Sequence, residues 1–236
     1  GVDQTLHFLI GLVGEVVAVN DGNELDLGIL FLGEFLLHVL NPGILVVHGG
    51  AGGEDRDLAF VADLLGDFFD LYAADVGGYG RIDVDAIAAA GMSCGGLQTL
   101  DNSADPRFKT LMIMNSGLFV NPAGAVPGMP MPEKEKLQKI TVPVIYILGG
   151  EEDIAYLNGM DDYRRLTKVP AFAANYPVGH GGTYGQPHGG EFTIPALAWL
   201  QWQLKGDQEA AKMFTGSPCG LELRDGWTIE KNDLID

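Results

Sequence analysis

A short segment near the middle of the chain carries the residue types of a nucleophilic serine. It reads Gly91-Met92-Ser93-Cys94-Gly95, with an apolar strand-like run before it and a helix-like run after it. A sharp strand-to-helix turn strains the backbone at the serine and leaves room only for glycine beside it. The segment therefore predicts a nucleophile elbow that exposes the Ser93 hydroxyl. The alternative is a glycine-rich turn that holds a serine by chance, and the flanking pattern favours the elbow.

A serine hydroxyl becomes an effective nucleophile only when a base takes its proton and an acid orients that base. Two glycine-containing segments that follow apolar runs supply both residue types. One is Gly149-Gly150-Glu151-Glu152-Asp153 and the other is Gly179-His180-Gly181-Gly182. In open α/β sheets such groups gather at the carboxyl ends of strands. We therefore predict Ser93 as nucleophile, His180 as base and Asp153 as acid.

Other residues compete for the roles of base and acid. His188, in a second glycine-containing segment, is the main alternative to His180 as the base. Glu151 and Glu152 are the alternatives to Asp153, although solvated loop charges explain them equally well. The remaining histidines fall in segments where a structural role is expected: His7, His38 and His48.

The oxyanion of an acyl-transfer reaction needs two backbone N–H donors. The residue after the nucleophile, Cys94, supplies one in the predicted elbow, at the start of the following helix. The second is expected at Gly50 or Ala51, in the glycine-rich loop 48–53 after an apolar run. The alternative for this loop is a phosphate-binding loop, but it lacks the lysine and the Ser/Thr of that motif.

Apolar runs and helical periodicity predict the elements that position these residues. The runs predict strands at 6–19, 25–32, 35–40, 44–47, 68–74, 82–90, 110–115, 142–148 and 171–176. Helices are expected at 55–65, from about Gly95 onward, at 133–138 and at 192–204, with a long loop at 122–132. Alternating strands and helices predict an α/β fold with a mostly parallel central sheet flanked by helices, in a single domain over 1–236.

Composition excludes several classes of protein. The chain has 236 residues, 47% of them hydrophobic, which is typical of a folded domain. Its net charge of −18 argues against nucleic acid as a partner and suits neutral or cationic substrates. No apolar run reaches the roughly 18 residues of a membrane span. The two cysteines, Cys94 and Cys219, predict neither a zinc site nor a disulfide framework.

With these motifs the chain resembles the α/β-hydrolase superfamily of serine esterases. From about Tyr79 onward it is similar to a group of microbial, often secreted hydrolases that are distantly similar to chlorophyllases and polyester hydrolases. The matching segments are Gly91–Gln98, Gly149–Tyr156, Gly179–Tyr184 and Trp199–Asp207. The resemblance favours Asp153 and His180 over their competitors. It weakens upstream, because the interval between Gly50 and Ser93 has room for fewer helices than the superfamily usually places there.

The resemblance implies a carboxylic-ester hydrolase that needs no metal or organic cofactor. Its partner would be a small-molecule or polymeric ester. A peptidase or thioesterase would use the same residues, and a binding protein could keep the fold without turnover. The chain begins at Gly1 without methionine. Together with the resemblance, this leads us to expect a secreted protein.

Overall fold

The computed structural model describes the backbone of residues 15–18, 28–32, 35–39 and 45–47, and both backbone and side chains of residue 83 and of residues 85–121 and 132–235. The strands in these ranges are β1 (Glu15–Ala18), β2 (Gly28–Leu32), β3 (Phe35–Val39), β4 (Leu45–Val47), β5 (Ile87–Met92), β6 (Phe108–Met114), β7 (Val144–Leu148), β8 (Ala171–Asn175) and β9 (Thr228–Lys231). The helices are α1 (Cys94–Asp101), α2 (Tyr156–Arg165), α3 (Gly190–Lys205) and α4 (Gln208–Ala211), with 3-10 turns at Lys134–Lys139 and Pro187–Gly189.

The strands form one sheet in the order β2-β3-β1-β5-β6-β7-β8-β9, and β4 pairs in parallel with β5. Four consecutive neighbours, β5 to β8, are all parallel, while β9 closes the edge antiparallel to β8. Parallel neighbours need crossover connections on the faces of the sheet. The helices α1 and α2 supply such connections after β5 and β7. The predicted α/β fold with a mostly parallel sheet is confirmed.

Apolar side chains cover both faces of the parallel strands, which explains why these strands are continuous hydrophobic runs. Alternate residues of one strand point to opposite faces. Tyr146 and Leu148 of β7 join a cluster with Met160 of α2, while Ile145 and Ile147 join the opposite cluster with Trp199 of α3. Each of these residues is almost completely buried. The carboxyl ends of the strands are thereby held at fixed positions along one edge of the sheet.

The structure corrects the sequence-based elements at several points. The segment predicted as a helix at 133–138 is a 3-10 turn at Lys134–Lys139. Helix α2 was not predicted, nor was the edge strand β9, which follows the strand predicted at 171–176. The predicted helix at 55–65, strand at 68–74 and most of the loop at 122–132 lie outside the described residues. The single domain over 1–236 stays a prediction.

Candidate active site

Ser93 lies between the end of β5 and the start of α1, as the elbow motif predicts. Its backbone has φ of +54° and ψ of −115°, which is a strained conformation for a residue with a side chain. A Cβ atom on Gly91 would collide with the backbone of Gly95, so the turn closes only with glycine there. The strained turn is held by the last residue of β6 and by a serine just beyond that strand. The Ser93 amide donates to the Met114 carbonyl at 3.0 Å, and the Ser116 hydroxyl donates to the Ser93 carbonyl at 2.6 Å.

The side chains of Ser93, His180 and Asp153 form a continuous hydrogen-bonded series. His180 Nε2 lies 3.0 Å from Ser93 Oγ, and His180 Nδ1 lies 2.7 Å from Asp153 Oδ1. The three residues are distant in the sequence and meet because they follow β5, β7 and β8, three strands whose carboxyl ends share one edge of the sheet. The His180 side chain is 28% exposed, whereas that of Asp153 is completely buried. The imidazole is therefore partly open to solvent, whereas the carboxylate is closed off from it.

The Asp153 carboxylate is held by four donors. Its Oδ1 accepts from His180 Nδ1 and from the Ala155 amide at 2.9 Å, and its Oδ2 accepts from the Gly149 amide at 3.0 Å and from Asn115 Nδ2 at 2.8 Å. Burial alone would raise the pKa of Asp153. The bonds from His180, Ala155, Gly149 and Asn115 outweigh it, so the pKa is lowered from its ordinary value. The carboxylate stays ionised beside the imidazole.

The loops that carry the acid and the histidine are joined through their backbones. The amides of Val178 and Gly179 both donate to the Gly149 carbonyl, at 3.0 and 2.8 Å. A Cβ atom on Gly149 would lie inside contact distance of the Gly179 carbonyl oxygen. The approach of the two loops therefore depends on glycine at position 149. This contact sets the position of His180 relative to Asp153.

Two residues that the sequence analysis did not single out complete this arrangement. Asn115 follows β6 directly, is completely buried, and contacts the acid as described above. The Tyr184 hydroxyl, in the loop after His180, donates to Asn115 Oδ1. The signal for Asn115 was present in the sequence, since a polar residue ends the strand between those of the nucleophile and the acid.

The competing residues lie elsewhere. His188 sits in the 3-10 turn before α3 with φ of +58°, and its carbonyl accepts a bond from Thr193 Oγ1. Glu151 and Glu152 are exposed in the turn that precedes Asp153. Neither glutamate is among the partners of His180. Cys94 is the buried first residue of α1, so its amide lies beside Ser93 at the helix start. Gly50 and Ala51 lie outside the described residues.

Membrane-spanning helices and clusters of metal ligands are both absent from the part of the chain that the structure describes. Within this part of the protein, none of the helices combines the length and apolar character of a membrane-spanning segment. Over the same residues, no three His, Cys, Asp or Glu side chains come together in a way that would hold a metal ion.

Comparison with known proteins gives architectural neighbours only. No family model matches the sequence, and no curated protein matches it. Among solved structures, uncomplexed acylaminoacyl peptidase of Pyrococcus horikoshii is 15% identical over 62% of this chain and 27% of its own, with a TM-score of 0.49. Acylaminoacyl peptidase in complex with Z-Gly-Gly-Phe-chloromethyl ketone is 16% identical over 64% and 28%, with a TM-score of 0.48. The native structure of sOPH is 14% identical over 66% and 56%, with a TM-score of 0.41.

The chain thus spans between about a quarter and just over half of the length of these proteins. The α/β-hydrolase fold follows from the chain's own geometry: an elbow after one parallel strand, with an acid and a histidine after the second and third strands beyond it.

Proposed function

We propose that this chain is a serine hydrolase that cleaves carboxylic esters through an acyl-enzyme intermediate. The observation that carries the proposal is the hydrogen-bonded series Ser93–His180–Asp153 at the carboxyl edge of a parallel sheet, with distances of 3.0 and 2.7 Å. A strained serine, a neighbouring imidazole and a buried carboxylate are the three groups that acyl transfer needs.

In the proposed reaction, Ser93 Oγ attacks the ester carbonyl carbon while its proton passes to His180 Nε2. The bond between the carbonyl carbon and the alcohol oxygen then breaks, and the alcohol leaves with the proton from His180. Water next attacks the acyl-enzyme and gives a proton to His180. The bond to Ser93 Oγ breaks, the carboxylic acid product is released, and Ser93 recovers its proton from His180. Asp153 holds the imidazole in the tautomer whose Nε2 accepts, and it stabilises the imidazolium.

We propose that the developing oxyanion is held by the amides of Cys94 and Gly50. The start of α1 supports the first assignment, because the first amides of a helix have no partners within it. The second rests on the place of Gly50 in the glycine-rich loop that follows an apolar run. The resemblance to serine esterases supports three further parts of the proposal: a preference for esters over amides and thioesters, a secreted location, and membership of the group of microbial hydrolases. The substrate we propose is a small-molecule or polymeric ester.

A covalent probe tests the nucleophile directly. The wild-type chain should react with a fluorophosphonate probe and hydrolyse p-nitrophenyl esters, while Ser93→Ala should lose labelling and at least about three orders of magnitude in kcat. Ser103→Ala is the control, because Ser103 is a buried serine that lies just beyond the end of α1 and away from His180. It should label and turn over like the wild type.

The same assay separates the alternatives. An unlabelled wild type with no turnover would identify a binding protein and end the proposal. Faster cleavage of matched anilides or thioesters than of oxygen esters would replace the esterase with a peptidase or thioesterase that uses the same residues.

A further inference from the structure

We infer that Asn115 is a positioning residue for the acid–base pair, an inference that rests on the proposed roles of Asp153 and His180. Its carboxamide Nδ2 donates to Asp153 Oδ2 at 2.8 Å and to the Gly179 carbonyl at 3.3 Å. A single side chain just after β6 therefore contacts both the acid that follows β7 and the residue that precedes the histidine after β8. Its Oδ1 accepts from the Tyr184 hydroxyl.

The orientation of the Asn115 amide is determined by its partners. An ionised carboxylate and a carbonyl can only accept hydrogen bonds, so the NH2 group must face Asp153 and Gly179. The oxygen then faces Tyr184, which must donate. Burial, with the nearby charge of Asp153, raises the pKa of the Tyr184 hydroxyl well above its ordinary value, so the hydroxyl keeps its proton. Both amide hydrogens and the amide oxygen are thus used.

The backbone also suits asparagine. Asn115 has φ of +43°, a left-handed conformation that asparagine tolerates better than most residues with a side chain. The backbone N–H of Asn115 donates to the Ile147 carbonyl at 2.8 Å, which fixes the residue against β7. Glycine would satisfy the backbone but would provide no donor. Without the side-chain carboxamide of Asn115, Asp153 Oδ2 would accept only from the backbone N–H of Gly149. The carboxylate plane, which orients the His180 ring, would then lose one of the two donors that fix it at Oδ2.

Two substitutions at this position test the inference. Asn115→Ala should lower kcat for p-nitrophenyl acetate by about tenfold or more, with KM within about threefold, because ester binding is not touched. The control is Asn175→Ala, since Asn175 is also a buried asparagine at a strand end but contacts Met160 instead of the acid. It should keep kcat within about twofold of wild type. Equal kcat for Asn115→Ala and wild type would overturn the inference.

The pH dependence of kcat/KM in Asn115→Asp separates a positioning role from a purely structural one, which would leave that dependence as in wild type. The groups that face the new carboxyl are Asp153, its partner His180, and the Tyr184 hydroxyl. When protonated, the carboxyl can still donate to Asp153, and when ionised it repels that carboxylate. The ratio of variant to wild-type kcat/KM should therefore change with pH. A ratio that stays flat from about pH 8 to pH 5 would overturn the inference.

A spectroscopic measurement separates this inference from the proposed function. The proton between His180 Nδ1 and Asp153 should give a low-field NMR resonance whether or not the chain turns over esters. We expect this resonance to shift or broaden in Asn115→Ala, and in Tyr184→Phe, which removes the donor to Asn115 and adds no atoms. An unchanged resonance in both variants would overturn the positioning role. An unlabelled, inactive wild type whose resonance responds as expected would overturn the proposed function alone.

Discussion

At the scale of single residues, three acidic side chains in one turn have very different surroundings. Glu151 and Glu152 are exposed, whereas the side chain of Asp153 is buried and accepts four hydrogen bonds. Only the third carboxylate touches the imidazole. The chemistry of the turn is therefore determined by which carboxylate is desolvated and bonded.

We expect Asp153→Asn to lower kcat by roughly four orders of magnitude at pH 7, since the amide favours the wrong imidazole tautomer. Glu151→Gln and Glu152→Gln, assayed on the same soluble ester, should remain within about threefold of wild type. A large loss in either glutamine variant, with Asp153→Asn close to wild type, would move the acid away from Asp153.

At the scale of elements, the site depends on how closely the loops after β7 and β8 approach each other. The contact is made by backbone atoms of Gly149 and Gly179, with no side chain between them. Backbone cannot shift as a flexible side chain can, so a new methyl group there must separate the loops. Separation would displace His180 from Ser93, because the histidine directly follows Gly179.

Gly149→Ala should lower kcat/KM by about a hundredfold, as expected when a catalytic group moves by about 1 Å. Gly181→Ala is the matched control, because Gly181 is the other neighbour of this loop's histidine and a Cβ there meets nothing within 4 Å. It should stay near wild type. Circular dichroism of both variants would check that the fold persists, and wild-type kinetics in Gly149→Ala would contradict the role of the loop contact.

The elements also show what sequence can predict. The strands β6, β7 and β8 are mostly apolar and, apart from the exposed Lys109, buried on both faces, so their ends, and the polar residues just beyond them, could be located from local pattern. The edge strand β9 is partly exposed and only four residues long, which leaves too weak a pattern. Asn115 lies at such a strand end too, but its partners Asp153 and Tyr184 are 38 and 69 positions away, so the local pattern indicated its place and not its contacts.

At the scale of the whole molecule, a second buried carboxylate links the site's framework to overall stability. Asp162 of α2 has a completely buried side chain that accepts from the Leu118 amide at 2.6 Å and pairs with Lys134 at 2.6 Å. It thereby ties α2 to the segment after β6 and to the 3-10 turn before β7. Burial raises the pKa of Asp162 to about 6 despite the charge of Lys134 and the bond from Leu118.

This raised pKa makes the folded state hold its proton more tightly than the unfolded state does. The stabilisation is present below the unfolded pKa of about 3.9 and is lost as pH rises through about 6. Asp162→Asn keeps an acceptor for the Leu118 amide and has no such titration. Its free energy of unfolding, relative to wild type, should therefore rise between pH 4 and pH 7 by up to about 3 kcal/mol.

Urea unfolding of both proteins at several pH values would measure this difference. Asp161→Asn is the control, because Asp161 pairs with the same Lys134 at 2.7 Å but its pKa is lowered, first by its bond from Arg165 and also by Lys134. A carboxyl whose pKa is lower in the folded state stabilises that state at pH values above its pKa in the unfolded chain. This stabilisation is lost as pH falls. Relative to wild type, Asp161→Asn should therefore lose stability as pH rises, in the opposite direction to Asp162→Asn. Equal slopes for the two variants would show that burial of Asp162 is not what makes stability depend on pH.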